Sequence, residues 1–84
     1  MVIVPGVRVS VDERAYTARV EVSLPSRGAP LAFTVDRSHD GHGWEVREPL
    51  GGTFAWRDSF DSAVGVAVAA ANGALGSDRR SSLP

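Results

Sequence analysis

The residues with the clearest potential for chemistry are two histidines on either side of an Asp-Gly pair. His39 and His42 flank this pair, which is a strong signal for a β-hairpin turn. Facing each other across a hairpin, the two imidazoles could share a metal ion, with Asp40 as an oxygen ligand. A zinc site needs four ligands, or three and a water molecule, but the sequence holds no further histidine and no cysteine. We therefore predict a solvated turn and no metal.

A pair of carboxylates is the next candidate. A two-residue Asp-Gly turn sets the hairpin register so that Asp36 faces Glu45. Two adjacent carboxylates can divide acid and base roles when a pocket separates their pKa values. The alternation of the strands places both on a solvated face, however, where Arg47, and Arg57 or Arg19, could neutralise them. We interpret the pair as part of a charged sheet surface.

Other catalytic patterns are missing from the sequence. No serine occupies a nucleophile-elbow pattern. Gly51 and Gly52 precede an expected strand, whereas the glycines of phosphate-binding loops precede a helix. We predict that the chain is not an enzyme and holds no cofactor.

Composition limits the class of protein. The chain has 84 residues, no cysteine and a net charge of -1, which favours a single domain and excludes disulfides and thiolate metal sites. All nine basic residues are arginine, a usage typical of a high-GC bacterial or phage genome. No apolar run is long enough to span a membrane, and the first residues lack the features of a signal peptide. We expect a cytoplasmic protein with no membrane partner.

Alternation of apolar and polar residues predicts β-strands with one buried face along most of the chain. The pattern covers residues 7–11, 16–24, 31–36, 44–47 and 53–57. Turn-forming segments separate these strands. We therefore predict an α+β fold, with a four- to five-stranded antiparallel meander and one C-terminal helix packed on one face.

A helix is predicted to follow the last strand. Asp58 or Ser59 can cap its first turn, because both side chains accept hydrogen bonds from free backbone amides. The helical pattern runs over residues 62–75, and Gly76 is suited to end it. The chain then divides into one domain, residues 1–76, and a flexible C-terminal tail, residues 77–84.

The two sides of this helix differ. One side carries the apolar stripe that should pack on the sheet: Phe60, Val64, Ala67, Val68, Ala71 and Leu75. The other side has no charged residue between Asp61 and Asp78, although a solvent-facing helix normally carries charges. Gly65, Ala69 and Gly73 are spaced four residues apart and form a ridge of small residues that another backbone could approach closely.

This second side is the predicted protein interface. Its residues are Ser62, Gly65, Val66, Ala69, Asn72 and Gly73. On this interpretation the chain is a small non-enzymatic protein-binding module, self-associating and acting as a regulator or inhibitor of a larger protein. Its partner is a second copy of the chain or an unidentified protein. The alternative for this side is an exposed alanine-rich surface that costs little side-chain entropy.

A nucleic-acid-binding regulator is the alternative function. It would use the arginine-bearing face of the sheet, with Arg8, Arg19, Arg47 and Arg57. Acidic residues on the same face and the net charge of -1 weigh against it. The aromatic residues that could stack on bases are predicted on the buried side: Phe33, Trp44, Phe54 and Trp56.

The order of elements from Phe33 to Leu75 resembles two known families. This order is a strand, an Asp-Gly turn, a tryptophan strand, a Gly-rich turn, an aromatic strand and a helix. It is similar to the order of elements in the arm-type DNA-binding domain of phage integrases and in HicB-type antitoxin domains. The likeness is carried by Gly43, Trp44, Thr53, Phe54, Phe60 and Ala63. The basic strands of the integrase domain are absent, as are the signature glycines and acidic helix start of the antitoxins, so no function is carried over.

Overall fold

The structure is a computed structural model that describes residues 3–81. Its elements are β1 (Val7–Asp12), β2 (Thr17–Val22), β3 (Leu31–Arg37), β4 (Trp44–Arg47), β5 (Thr53–Arg57) and α1 (Phe60–Ser81). The strands form one antiparallel sheet in the order β1-β2-β3-β4-β5, and α1 packs across one face. The predicted α+β meander with a C-terminal helix is confirmed.

The core lies between α1 and the inner face of the sheet. Alternation along the strands and the three- or four-residue spacing of the helix bring apolar side chains to the same interface. Val20, Val22, Val35 and Val46 of the sheet are fully buried. The helix buries Ala63, Val64, Ala67, Val68, Ala71 and Leu75 against them, and Phe60 packs at the margin. The predicted apolar stripe is confirmed.

The hairpin between β3 and β4 has the predicted register but a longer turn. Asp36 faces Glu45, as expected. Ser38 and Gly43 form the last hydrogen-bonded backbone pair before the tip, since Ser38 N–H donates to Gly43 O over 3.0 Å. The tip therefore contains residues 39–42, and the prediction of a two-residue turn is wrong.

β5 does not alternate as predicted. Its pairing with β4 shifts by one residue after Val46, so that β5 contains a β-bulge. Ala55 lies on the inner face opposite Val46, and Trp56 lies on the outer face opposite Glu45. The predicted burial of Trp56 is wrong for this reason. Phe54 takes the extra position of the bulge and stays 47% exposed.

The N terminus of α1 is capped by one of the two predicted residues. Ser59 Oγ accepts a hydrogen bond from Ser62 N–H over 3.2 Å, and Ser59 O accepts one from Ala63 N–H over 3.1 Å. Asp61 lies in the first turn, where its charge suits the positive end of the helix dipole. These contacts start the helix directly after β5.

The C-terminal end of α1 lies beyond the predicted one. The helix continues through Gly76 to Ser81, so the predicted end is wrong. The carboxylate of Asp78 accepts hydrogen bonds from the hydroxyl of Ser26 and from its backbone N–H, the latter over 3.2 Å. This contact ties the last turns to the β2–β3 loop. Residues 82–84 of the predicted tail lie outside the described residues, and its flexibility stays a prediction.

Replacing Gly76 with alanine distinguishes a continuing helix from one that ends at this residue. A Cβ there would meet no described atom within 4 Å. We expect Gly76→Ala to raise the free energy of unfolding by about 0.5–1 kcal/mol, because alanine favours a helix interior over glycine. Urea unfolding followed by circular dichroism measures the change. A loss of stability would contradict the continuation, since alanine is disfavoured at a left-handed helix end.

Candidate protein-binding surface

The predicted interface residues lie together on the side of α1 that faces away from the sheet. Their set defines the uncharged helix face: Ser62, Gly65, Val66, Ala69, Asn72 and Gly73. Ser62, Ala69 and Gly73 are exposed, and the other three are half-buried along the flanks. The helix spacing deduced from the sequence therefore holds in the structure.

Charged residues stand at the ends of this face and not within it. Residues 62–77 carry no charge, and Asp61 and Asp78 are the nearest charged positions along α1. At 1.5 Å per residue this uncharged stretch is about 24 Å long. The packing of α1 on the sheet constrains only the buried side of the helix, so it does not explain why the exposed side carries no charge over this length.

Two glycines on the uncharged helix face have no packing role within residues 3–81. A Cβ at Gly65 or Gly73 would meet no described atom within 4 Å. A glycine inside a helix costs about 1 kcal/mol relative to alanine. No contact of the described residues requires a glycine at either position, so packing within the chain does not explain this cost in stability. A second backbone could pack closely along Gly65, Ala69 and Gly73, because none of these residues has a side chain larger than a methyl group.

A second apolar surface lies between β1 and α1. It is a groove of about 490 Å³ lined by Val9, Val11, Glu13, Tyr16, Phe60, Asp61 and Val64, and we refer to it as the β1 groove. Val11 is 47% exposed and Tyr16 54% exposed, so the helix leaves this edge of the inner face partly uncovered. The sequence reasoning missed the groove, because alternation identifies an inner face without showing how far a helix covers it.

Tyr16 is held at the margin of the β1 groove in an uncommon backbone conformation. Its φ of 52° lies in the left-handed region, which bulky residues rarely adopt. Its carbonyl oxygen accepts a hydrogen bond from Trp44 Nε1 over 3.1 Å. Its ring meets Phe60 edge-on, with centroids 5.9 Å apart. These two contacts stabilise the turn between β1 and β2.

Three of the four predicted arginines share one face of the sheet. Arg8, Arg19 and Arg47 lie on the outer face of the sheet, on β1, β2 and β4. Arg57 faces Trp44 and therefore lies on the inner side. The prediction that Arg57 shares the outer face is wrong, because the bulge reverses the alternation of β5 after Phe54, so that Trp56 points outward and Arg57 inward.

Carboxylates neutralise two of these arginines. Arg19 Nε lies 3.5 Å from Glu21 Oε1, and Arg47 Nη2 lies 3.0 Å from Glu45 Oε2. Arg8 makes no ion pair within residues 3–81. The outer face is therefore of mixed charge, as the sequence indicated.

Trp56 adds an exposed aromatic side chain to the outer face. It is 48% exposed, and its Nε1 donates a hydrogen bond to His42 O over 2.9 Å. Its ring lies against Gly43, where it occupies the space that a Cβ would take. The sequence reasoning expected no exposed aromatic residue on this face, and Trp56 corrects that expectation.

Hydrogen bonds and a contact between an imidazole and a carboxylate organise the histidine turn. His39 Nδ1 lies 3.6 Å from Glu45 Oε1. Asp40 accepts a hydrogen bond from His42 N–H over 2.9 Å. This bond, followed by one from the Ser38 hydroxyl, lowers the pKa of Asp40 below its usual value. Within the part of the chain that the structure describes, no three His, Cys, Asp or Glu side chains group as a metal site requires.

Comparisons with known proteins give no relative for this chain. No protein-family model matches it. No curated protein matches it, and no solved structure does. The resemblances noted from the sequence stay predictions.

Over residues 3–81 no helix combines the length and the apolar character needed to cross a bilayer.

Proposed function

We propose that this chain is a small non-enzymatic protein-binding module. It binds through the uncharged helix face, either to a second copy of itself or to a larger protein that it regulates or inhibits. The observation that carries the proposal is the lack of charge over residues 62–77, together with two glycines that no described contact explains.

The physical properties of this face suit a protein partner. Interface cores are depleted of charged residues relative to the rest of a protein surface. Small residues at four-residue spacing allow another backbone to approach closely. A domain of this size also buries a smaller share of its surface on folding than a large domain does, so covering a further surface adds stability. Each of these properties favours a docking role over a solvent-facing one.

Ala69→Arg tests the proposal, because Ala69 lies at the centre of the ridge of small residues. We expect association through this face to weaken at least about tenfold, since the guanidinium would be desolvated in the interface or would hold the partner away. Ala69 is exposed and arginine is a good helix former, so the free energy of unfolding of the monomer should change by less than about 0.5 kcal/mol. Size-exclusion chromatography with light scattering gives the association.

Ala29→Arg is the matched control. It makes the same substitution at an exposed position of the β2–β3 loop, outside α1. A dimer that Ala69→Arg leaves intact would contradict self-association through this face and leave a larger protein as its partner. The same variants then serve as baits for that partner. A protein retained by the wild type and by Ala29→Arg but lost with Ala69→Arg supports the proposal, and a protein retained equally by all three contradicts it.

The second candidate function is a nucleic-acid-binding regulator that uses the outer face. The exposed Trp56 favours it, because it offers a stacking surface on the same face as Arg8, Arg19 and Arg47. The ion pairs of two of these arginines weigh against it. A salt-dependent shift of labelled DNA or RNA would support this function. A concentration-dependent dimer without such a shift supports the protein-binding module.

The location and source are proposals of the same kind. The absence of cysteine suits a reducing cytoplasm. The exclusive use of arginine as the basic residue suits a high-GC bacterium or phage. Neither property bears on which surface binds the partner.

A further inference from the structure

β1 forms one edge of the sheet, and its outward backbone groups face no strand in the described chain. Ser23 N–H donates to Gly6 O over 2.9 Å, which makes these residues a hydrogen-bonded pair of the β1–β2 ladder. Such pairs alternate along antiparallel strands, so the N–H and C=O groups of Val9 and Val11 point away from β2. These groups are available to pair with another strand.

The two edges of the sheet differ in regularity. β5 carries a bulge at Phe54, and a bulge disrupts the pairing of an edge strand. β1 pairs with β2 without a register shift along its whole length. The regular edge is therefore β1, and it is the edge better suited to strand addition.

The sequence of β1 is complementary to itself when two copies run antiparallel about Ser10. In this register Arg8 faces Asp12 of the second copy, and Val9 faces Val11 of the second copy. Opposite charges meet on the outer face and valines meet on the inner face. Val9 and Val11 would exchange about four backbone hydrogen bonds with the second copy, because their groups already point outward.

The charged groups needed for this register are available. Arg8 makes no ion pair within residues 3–81, whereas the other two arginines of the outer face each contact a carboxylate. Asp12 Oδ1 accepts hydrogen bonds from Arg14 N–H and Ala15 N–H, over 3.0 and 3.2 Å. No hydrogen bond or ion pair within residues 3–81 uses its Oδ2, which can accept from Arg8 of the second copy.

The apolar side of β1 also suits a second copy. Val11 is about half exposed beside the β1 groove. In the antiparallel register the Val9 side chain of the second copy lies next to it on the inner face. A two-fold axis perpendicular to the sheet keeps both helices on the same side, so the two β1 grooves become neighbours.

We propose that two copies of this chain associate edge to edge through β1, antiparallel about Ser10, and so extend the five-stranded sheet of each copy into one continuous sheet. The proposal goes beyond the function proposed above, because β1 is separate from the uncharged helix face. That face stays available for a larger protein.

Ser10→Cys tests the register directly, since the chain has no cysteine of its own. Ser10 would face Ser10 of the second copy in a non-hydrogen-bonded pair, with Cα atoms about 4.5 Å apart, which a disulfide can span. We expect most of the chain to form a covalent dimer under mild oxidation. Thr53→Cys is the control, because Thr53 is exposed at the opposite edge of the sheet. Equal cross-linking of both variants, or none in either, overturns the proposal.

A pair of variants at Val11 separates backbone pairing from side-chain contact. Val11 N–H points outward, so Val11→Pro removes a donor that the fold does not use. We expect Val11→Pro to weaken the dimer at least about tenfold, and Val11→Ala to weaken it less, because alanine keeps the N–H. Light scattering gives the dissociation constants, and circular dichroism checks that both variants fold. Equal effects of the two variants would contradict strand pairing.

The oligomeric states of the wild type and of Ala69→Arg distinguish the β1 dimer from an interface on the uncharged helix face. A wild-type chain that is monomeric up to about 1 mM overturns the β1 dimer and leaves a larger protein as the occupant of the helix face. A dimer that Ala69→Arg dissociates and Val11→Pro does not would overturn the β1 contact alone. We expect the reverse: Ala69→Arg leaves the β1 dimer intact.

Discussion

Gly43→Ala is expected to lower the free energy of unfolding by about 3 kcal/mol and the melting temperature by roughly 12–24 °C. Gly43 has a φ of 74°, which an L side chain rarely adopts. A Cβ there would lie 2.6 Å from Arg57 O and closer still to the ring of Trp56. Backbone strain and overpacking therefore act together. Thermal and urea unfolding measure the loss.

Gly41→Ala is the matched control for this prediction. Gly41 lies in the same turn with a similar φ of 80°, but nothing lies within 4 Å of its Cβ position among the described atoms. It should lose about 1 kcal/mol from backbone strain alone. In a Trp56→Ala background, Gly43→Ala should cost less, because the ring is gone. Equal losses at the two glycines would contradict the packing of Trp56 on Gly43.

Leu75→Ala is expected to destabilise the fold by about 3 kcal/mol, with the roughly 12–24 °C lower melting temperature that follows for a domain of this size. Leu75 is 2% exposed and is among the largest fully buried side chains. Its Cδ2 lies 3.1 Å from the position that a Cβ on Gly6 would take. The side chain thus fills the space between α1 and the turn before β1, and its truncation leaves a cavity.

Leu50→Ala is the control for leucine truncation. Leu50 is 93% exposed in the turn before β5. Its loss should change the free energy of unfolding by less than about 0.5 kcal/mol. If Leu75→Ala also cost this little, the second half of α1 would not pack on the sheet as the structure places it.

Strands and core could be predicted because their signals are local. The alternation around Val20 and Val35 requires only that one face of a strand be buried, and both residues are fully buried. The uncharged helix face could be predicted for a similar reason, since α-helix spacing alone places Ala69 opposite Ala67 and Ala71. These predictions need no knowledge of the rest of the chain.

The candidate surfaces that the sequence reasoning missed depend on how elements meet. Val11 has the same alternation signal as Val20, yet one is 47% exposed and the other fully buried. The difference arises because α1 lies over the central strands and reaches β1 least. The β1 groove and the free edge beside it follow from that placement, which no local pattern encodes.

Periodicity over a few neighbouring residues was enough to predict the order of the strands and the helix, the residues of the core stripe and the uncharged side of α1. The outward position of Trp56 and the length of α1 could not be predicted in this way, because they depend on contacts between distant segments. The first depends on a bulge set by pairing with β4. The second depends on Asp78 reaching Ser26, which is 52 residues away in the chain but adjacent in the fold.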